Sequence, residues 1–189
     1  MAEELTPQDV DDYTEGRLAA DNPRTATLLA AALDKVRRFC GWHVSPIKDD
    51  VATLHTNGRH DFFVLPTLNI ASITSITEDG QAVDLSTIEQ VTGEPGVIYK
   101  QHGRRWCGTV VANYSHGYAA ADAAAFRAEV LALVDRADLS MGTGASGPLT
   151  SIEVDDVRYG FSGVTDRIIG GVAKNPLDES VLYQYRLVL

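Results

Sequence analysis

At 189 residues, 44% of them hydrophobic and 22% charged, the chain has the size and balance of one globular domain with room for a real core. Its 26 acidic and 16 basic side chains leave a formal charge of -10, so the surface repels phosphate and argues against binding nucleic acid by counterion release unless basic residues gather locally. Lys100, Arg104 and Arg105 form the densest basic group. Two cysteines without a C-x-x-C spacing exclude a cysteine-framed metal site, and a longest apolar run of LLAAAL excludes a membrane span.

The opening stretch MAEELTPQDVDDYTEG carries six acidic residues and no basic one, unlike a signal peptide, so a cytoplasm or a particle assembled there is expected. In DNPRTATLLAAALDKVRRFCGW, Asn22 is a good N-cap and Pro23 suits the first helical position. Ala26, Leu29, Leu33, Val36 and Cys40 recur at spacings of three and four and predict one apolar stripe. Arg37 and Arg38 complement the helix dipole in the last turn, and Gly41 can take the left-handed position that ends the helix. Cys40 reads as a small apolar residue; a disulfide to Cys107 stays open.

From about Val51 to Tyr118 the pattern becomes that of strands. Asn57-Gly58 predicts a two-residue hairpin joining VATLHT to RHDFFVL, and Asp79-Gly80 a second one joining ITSIT to QAVDL. GVIYK and TVVANYSHGY follow as further strands. The expectation is an antiparallel, meander-like β region. A second helix is expected over about 120–138, with Ala123, Phe126, Val130, Leu133 and Ala137 on its stripe and Leu131 and Val134 widening it. LTSIEVDDVRYGFSG alternates enough for one or two strands, and SGVTDRIIGGVAK reads as a mobile connection. In NPLDESVLYQYRLVL, Asn175 can cap, Pro176 opens the helix, and Asp178 and Glu179 favour its first turn. Leu177, Val181 and Tyr185 share one face, and the apolar ending predicts a docked terminus.

The stretch MGTGASGP matches G-x-G-x-x-G through Gly142, Gly144 and Gly147. A dinucleotide site needs a strand before these glycines and a helix after them. Here a helix precedes and Pro148 with a strand-like run follows, so the loop is read as a linker. Counting outward from the Asn57-Gly58 turn places His55 opposite His60, but two imidazoles do not close a metal site and Asp61 points to the other face. Ser115 and His116 are adjacent on a strand and face opposite ways, so they are no nucleophile–base pair. The acidic pairs Asp11-Asp12, Asp49-Asp50 and Asp155-Asp156 read as solvated charge. No catalytic residue, cofactor or metal is expected. Trp42 and Trp106 read as packing anchors, whereas the tail with Tyr183, Tyr185 and Arg186 has the composition of an interface, or of a helix covering its own sheet.

Four stretches taken in order resemble the head-to-tail adaptor (head-tail connector) proteins of long-tailed actinobacterial bacteriophages: AALDKVRRFCGWHVSP, LPTLNIASITSITEDGQAVD, VVANYSHGY and LDESVLYQYRLVL. The likeness runs from about Ala20 to Leu189. It departs at YAAADAAAF, which lacks the proline expected after HGY. The resemblance implies a non-enzymatic, α+β virion protein: a small helical bundle (helices about 22–40 and 120–138), antiparallel hairpins (about 51–118) and a C-terminal arm ending in a short helix. It implies residues 1–165 as the adaptor domain, with an acidic segment over 1–20, and 166–189 as a docking arm. It further implies a dodecameric ring in the virion neck, assembled in the host cytoplasm. That ring would lie between a portal protein and a stopper or tail-completion protein, with double-stranded DNA passing transiently and non-specifically, and no membrane.

On this reading Leu177, Val181, Leu182, Tyr183, Tyr185, Arg186, Leu187 and Leu189 dock the portal. The tips Asn57, Gly58, Asp79 and Gly80 face the lumen or the tail side. A stopper, a tail terminator or a small metal-dependent hydrolase using His55 and His60 are the alternatives.

Overall fold

The computed structural model describes residues 4–101, 103–142, 151–154, 157–160 and 177–187. The chain is α+β and divides into two compact units: Leu5–Val36 with Arg127–Val181, whose described residues are largely helical, and Arg37–Phe126 with Met1–Glu4 and Leu182–Leu189, whose described residues are built on sheets.

In the helical unit the acidic opening stretch forms a helix that charge patterning alone does not suggest, α1 (Pro7–Tyr13). Its start is a capping box. The Thr6 hydroxyl accepts from the Asp9 amide, the Asp9 carboxylate accepts from the Thr6 amide at 2.7 Å, and Pro7 occupies the first turn. Burial works to raise the Asp9 pKa, but the two bonds from Thr6 and the nearby Arg127 guanidinium outweigh it and hold the carboxyl below its ordinary value. Helix α2 (Pro23–Cys40) begins and ends where its caps predict: Asn22 Oδ1 accepts from the Arg24 amide at 2.9 Å, and Gly41, at φ +81°, donates to Arg37 O. Its buried face is Thr25, Leu29, Ala32, Leu33, Val36 and Cys40. Ala26, expected on that face, is exposed. Thr25 takes its place because its hydroxyl is satisfied by Ala19 O at 2.8 Å.

Helix α3 (Ala124–Gly142) begins and ends about a turn later than the expected 120–138. Phe126, Val130, Leu133 and Val134 are its buried apolar residues, while Ala137 is only half-buried. Arg17 bridges Asp135 and Asp138, Arg24 reaches Asp138 at 2.7 Å, and the buried Glu129 pairs with Arg136 at 2.5 Å. A separate hairpin, β8 (Ser151–Val154) and β9 (Val157–Gly160), runs antiparallel, as the alternation of LTSIEVDDVRYGFSG suggests.

The sheet unit holds two antiparallel sheets. The first orders β1 (Lys48–Asn57), β7 (Cys107–His116), β3 (Ile70–Glu78) and β4 (Gln81–Ala82) as β1-β7-β3-β4. The second orders β2 (Phe62–Val64), β6 (Val97–Lys100) and β5 (Ile88–Glu89) as β2-β6-β5. This corrects the meander expected from chain order. The late strand β7 is central, pairing Asn57↔Cys107 through Lys48↔His116 on one side and Ile70–Glu78 on the other.

The Asn57-Gly58 hairpin is corrected with it. β1 has ten residues to pair and β7 supplies all ten, whereas β2 has three and pairs with β6 in the other sheet. Asn57-Gly58 is still a turn, with Gly58 at φ +70° and Asn57 Oδ1 accepting from the Arg59 amide at 3.0 Å, but it passes the chain between sheets. The Asp79-Gly80 turn is a true two-residue hairpin, with φ +49° and +79° and Glu78 opposite Gln81, the type I′ geometry those residues favour.

Phe63, Leu65, Ile76, Ile98, Trp106, Val110, Ala112 and Tyr114 form the core of this unit. β7 supplies three of them from alternate positions, the period-two burial of a strand. Trp106 meets Phe63 edge-on at 4.8 Å between ring centres, the anchor role expected of it. No helix among the described residues is long and apolar enough to cross a membrane.

Candidate functional site

The C-terminal segment divides its side chains between two jobs. Helix α4 (Glu179–Leu182) runs into a 3-10 turn over Tyr183–Tyr185. Asn175 and Pro176 lie outside the described residues. The visible capping is by Asp178, whose Oδ1 accepts from the Ser180 hydroxyl at 2.5 Å and from its amide at 3.1 Å. The hydroxyl bond is the main reason its carboxyl is held below the ordinary value.

Leu182 is fully buried and Tyr185 nearly so. The Tyr185 ring packs edge-on against Tyr118 and Phe126, at 5.8 and 6.0 Å. Its carbonyl accepts from Trp42 Nε1 at 2.7 Å, and the Leu187 amide donates to Cys40 O at 2.8 Å. Burial lifts the phenols of both Tyr118 and Tyr185 above their ordinary pKa. Trp42 is thus the packing anchor the sequence suggested, and what it anchors is the tail.

The other side of the segment points outward. Tyr183 is 58% exposed, and the Arg186 guanidinium lies 5.5 Å from the ring centres of both Tyr183 and Phe39. The two rings meet edge-on at 6.3 Å. An exposed tyrosine and a stacked arginine are the residue types that dominate interface energies. Phe39 was missed by the sequence reading. Its signal was an aromatic residue lying off the apolar stripe of α2. Leu177, Val181 and Leu187 are half-buried, and Leu189 lies outside the described residues.

The turns Asn57-Gly58 and Asp79-Gly80 come together at one end of the first sheet, because β1 and β3 both flank β7. Gly58 donates to Trp106 O at 3.0 Å, Asp79 donates to Thr109 O at 2.8 Å, and the Asp79 carboxylate accepts from the Thr109 amide at 2.7 Å. Gly108, at φ +78°, makes room for that carboxylate; a Cβ there would lie 2.2 Å from its oxygens. Lys100 is held beside them. Its Nζ lies 2.6 Å from Glu78 Oε2 and 4.5 Å above the Trp106 ring, while Glu78 Oε1 accepts from the Cys107 amide at 2.7 Å.

His55 faces Thr109 across the β1–β7 ladder, its Nδ1 3.2 Å from the Thr109 hydroxyl, so the His55–His60 strand pairing is corrected. His60 instead lies against Phe62, 5.2 Å between rings. Both histidines line a cleft of about 250 Å³ with Phe62, Phe63 and Trp106. Among the described residues no group of three His, Cys, Asp or Glu side chains is placed to hold a metal ion.

Ser115 and His116 do face opposite ways. The Ser115 hydroxyl donates to Asp49 at 2.5 Å, while His116 is buried beside Tyr114, Trp42 and His43. Burial pulls the His116 pKa down, against the opposing pull of Asp50, whose Oδ2 lies 3.3 Å from Nε2; His43 is lowered by burial as well. Cys40 is buried, which pushes its thiol up to about 11, Cys107 is exposed, and both are free thiols. Asp11 and Asp12 accept local bonds, from the Ala20 amide and the Gln8 side chain. Asp155 and Asp156 lie outside the described residues. So do Gly144, Gly147 and Pro148; Gly142 is the last residue of α3.

No protein-family model matches the chain, and no curated protein matches it in sequence. Among solved structures it is similar to a chain from the neck of an empty gene transfer agent (GTA) particle computed with C6 symmetry. The TM-score is 0.59 at 15% identity, over 98% of this chain and 90% of that one. A chain from the neck of the native GTA particle computed with C12 symmetry matches with a TM-score of 0.57 at 13% identity, over 100% and 96%. A chain from the virion of the native particle matches at 0.59 and 15%, over 98% and 90%. At such identities the likeness is one of fold: this chain has, along essentially its whole length, the fold of proteins from a phage-like particle and its neck.

Proposed function

We propose that the chain is a structural, non-enzymatic virion protein of the neck, a head-to-tail adaptor that forms a ring beneath the portal and extends the DNA channel toward the tail. The observation that carries this reading is the end-to-end fold likeness to chains of GTA necks, assemblies of sixfold and twelvefold symmetry. A ring of identical subunits needs a rigid wedge with two different contact faces. The sequence resemblance to actinobacterial phage adaptors supplies the finer role: a dodecamer between portal and stopper or tail-completion protein, with DNA passing through.

The C-terminal segment is the proposed portal contact. Leu182 and Tyr185 anchor it to its own unit and leave Tyr183 and Arg186 exposed, with Arg186 stacked on the half-buried Phe39. Residues 166–189 are accordingly the docking arm on this reading, and the turns at Asn57, Gly58, Asp79 and Gly80 face the lumen or the tail side.

Electron microscopy of the purified protein alone and mixed with portal tests the reading. A ring seated on the portal is expected, and a Tyr183→Ser, Arg186→Gln double variant is expected to fold and to lose the portal. Capture of a tail tube in place of portal would instead identify a stopper or tail terminator. Stoichiometric metal in the purified protein with hydrolytic turnover would identify an enzyme.

A further inference from the structure

Although Lys100 belongs to the densest basic run of the sequence, its charge is spent on Glu78 and on the Trp106 ring. The fold supplies a substitute. The segment 58–61 is tied to Lys100 and Trp106 by three backbone bonds: Gly58 to Trp106 O at 3.0 Å, Lys100 to Asp61 O at 2.7 Å and Trp106 to His60 O at 3.0 Å. This sets the backbone at Arg59, distant in sequence, beside the chain that leads from Arg104 and Arg105 into Trp106. All three are exposed, and none has a carboxylate partner among the described residues.

The acidic groups around them are mostly engaged. Glu78 holds Lys100 and the Cys107 amide, and Asp79 accepts from the Thr109 amide. Asp61 is exposed, and its charge lies near Tyr99; that phenol is held above its ordinary pKa first by its bond to Glu94 and in smaller part by Asp61.

We propose that Arg59, Arg104 and Arg105 form a phosphate-contacting patch for double-stranded DNA at the turn end of the sheet unit. The proposal deepens the neck reading and rests on it for the place where DNA is met. A guanidinium presents a planar fork that matches two phosphate oxygens, and it holds its charge at every accessible pH. Gly58 and Gly103, both at positive φ, keep side chains out of the loop backbone beside the arginines. Among the described residues, none of the large exposed apolar side chains falls in 58–61 or 103–106. With -10 over the whole chain, the net charge repels DNA, so contact calls for a local basic patch of this kind. Contacts of this kind are independent of base sequence and exchange readily, so packaged DNA is gripped without being fixed.

The test uses the full-length protein and a short duplex of random sequence, with binding read by fluorescence anisotropy across a salt series, beside portal capture and ring formation. The wild type is expected to bind at about 50 mM salt and to release as salt rises, the logarithm of affinity falling linearly with the logarithm of salt. The triple variant Arg59→Gln, Arg104→Gln, Arg105→Gln is expected to lose at least tenfold in affinity, with the slope reduced by about 0.9 per arginine removed. It should form rings and capture portal as the wild type does. All three side chains are exposed, and an unchanged melting temperature confirms the fold. Absence of wild-type binding at low salt, or equal binding by the triple variant, overturns the proposal. Loss of rings with retained DNA binding overturns it too and assigns the arginines to the acidic surface of a second copy. A wild type that binds DNA through these arginines but ignores the portal refutes the neck reading and leaves the patch standing.

Discussion

Leu182→Ala separates a tail that belongs to the folded core from one that merely leans on it. The side chain is fully buried, so the substitution removes apolar contact and leaves a cavity, a change that costs roughly 2–5 kcal/mol in comparable cores. Deleting residues 182–189 goes further. It strips out the Tyr185 ring between Tyr118 and Phe126, and it leaves the Trp42 indole N–H without the carbonyl that accepts from it at 2.7 Å. Loss of the ring alone costs about 3–5 kcal/mol and an orphaned buried donor about 1–3. These losses share neighbours and do not add simply, yet together they approach the roughly 5–15 kcal/mol that holds a domain folded. The exposed Tyr183 lies one residue away, and Tyr183→Ser is expected to stay within about 0.5 kcal/mol of wild type. Urea unfolding followed by tryptophan fluorescence reads all three, since Trp42 touches the tail directly. At about 1–3 kcal/mol per molar urea, Leu182→Ala should lower the midpoint by roughly 1 M or more. A Leu182→Ala midpoint equal to that of Tyr183→Ser, or a deletion that unfolds like wild type, refutes the assignment of this segment to the core.

His43 and His116 are held below the ordinary histidine value by burial. The unfolded chain therefore binds protons first as pH falls through about 6.5, and stability declines from there toward the lowered folded values. Asp9 and Asp50 are shifted down from 3.8, so their contribution is lost only below that pH. Melting temperatures between pH 8 and 5 should fall on the acid side, and His116→Gln should flatten part of the slope; a level wild-type profile contradicts this. Gly96 has φ +76°, and a Cβ there would lie 2.6 Å from both Leu65 O and Thr67 O. Gly80, at φ +79°, has open space around it. Gly80→Ala should cost about 1–2 kcal/mol of backbone strain and Gly96→Ala clearly more, as measured by urea midpoints; equal costs would remove the role of the close contact. Under native conditions near neutral pH a maleimide should label Cys107 rapidly and Cys40 only after unfolding, since burial lifts the Cys40 thiol to about 11. Equal labelling rates in the folded protein would show that the α2 end opens.

What the sequence determines by itself is whatever local chemistry decides. Asn22, Pro23 and Gly41 set the ends of α2 because capping is settled within a few residues, and Asp79-Gly80 makes its hairpin because both residues tolerate positive φ. The same rules mark α1 through Thr6, Pro7 and Asp9, but the surrounding run of acidic charge hides that signal.

Strand partnership is another matter. Asn57-Gly58 carries as good a turn signature as Asp79-Gly80, yet β1 passes over its neighbour for β7, some fifty residues on, because that strand offers ten residues to pair where β2 offers three. The two faces of the tail were likewise undecided until Trp42, Tyr118 and Phe126 were brought against Tyr185. The backbone on either side of Arg59 met Trp106 for the same reason. Turns and caps are short-range equilibria that a few residues can settle. Which surfaces meet depends on burying the greatest length of strand and the most apolar area at once, and that choice exists only for the whole chain.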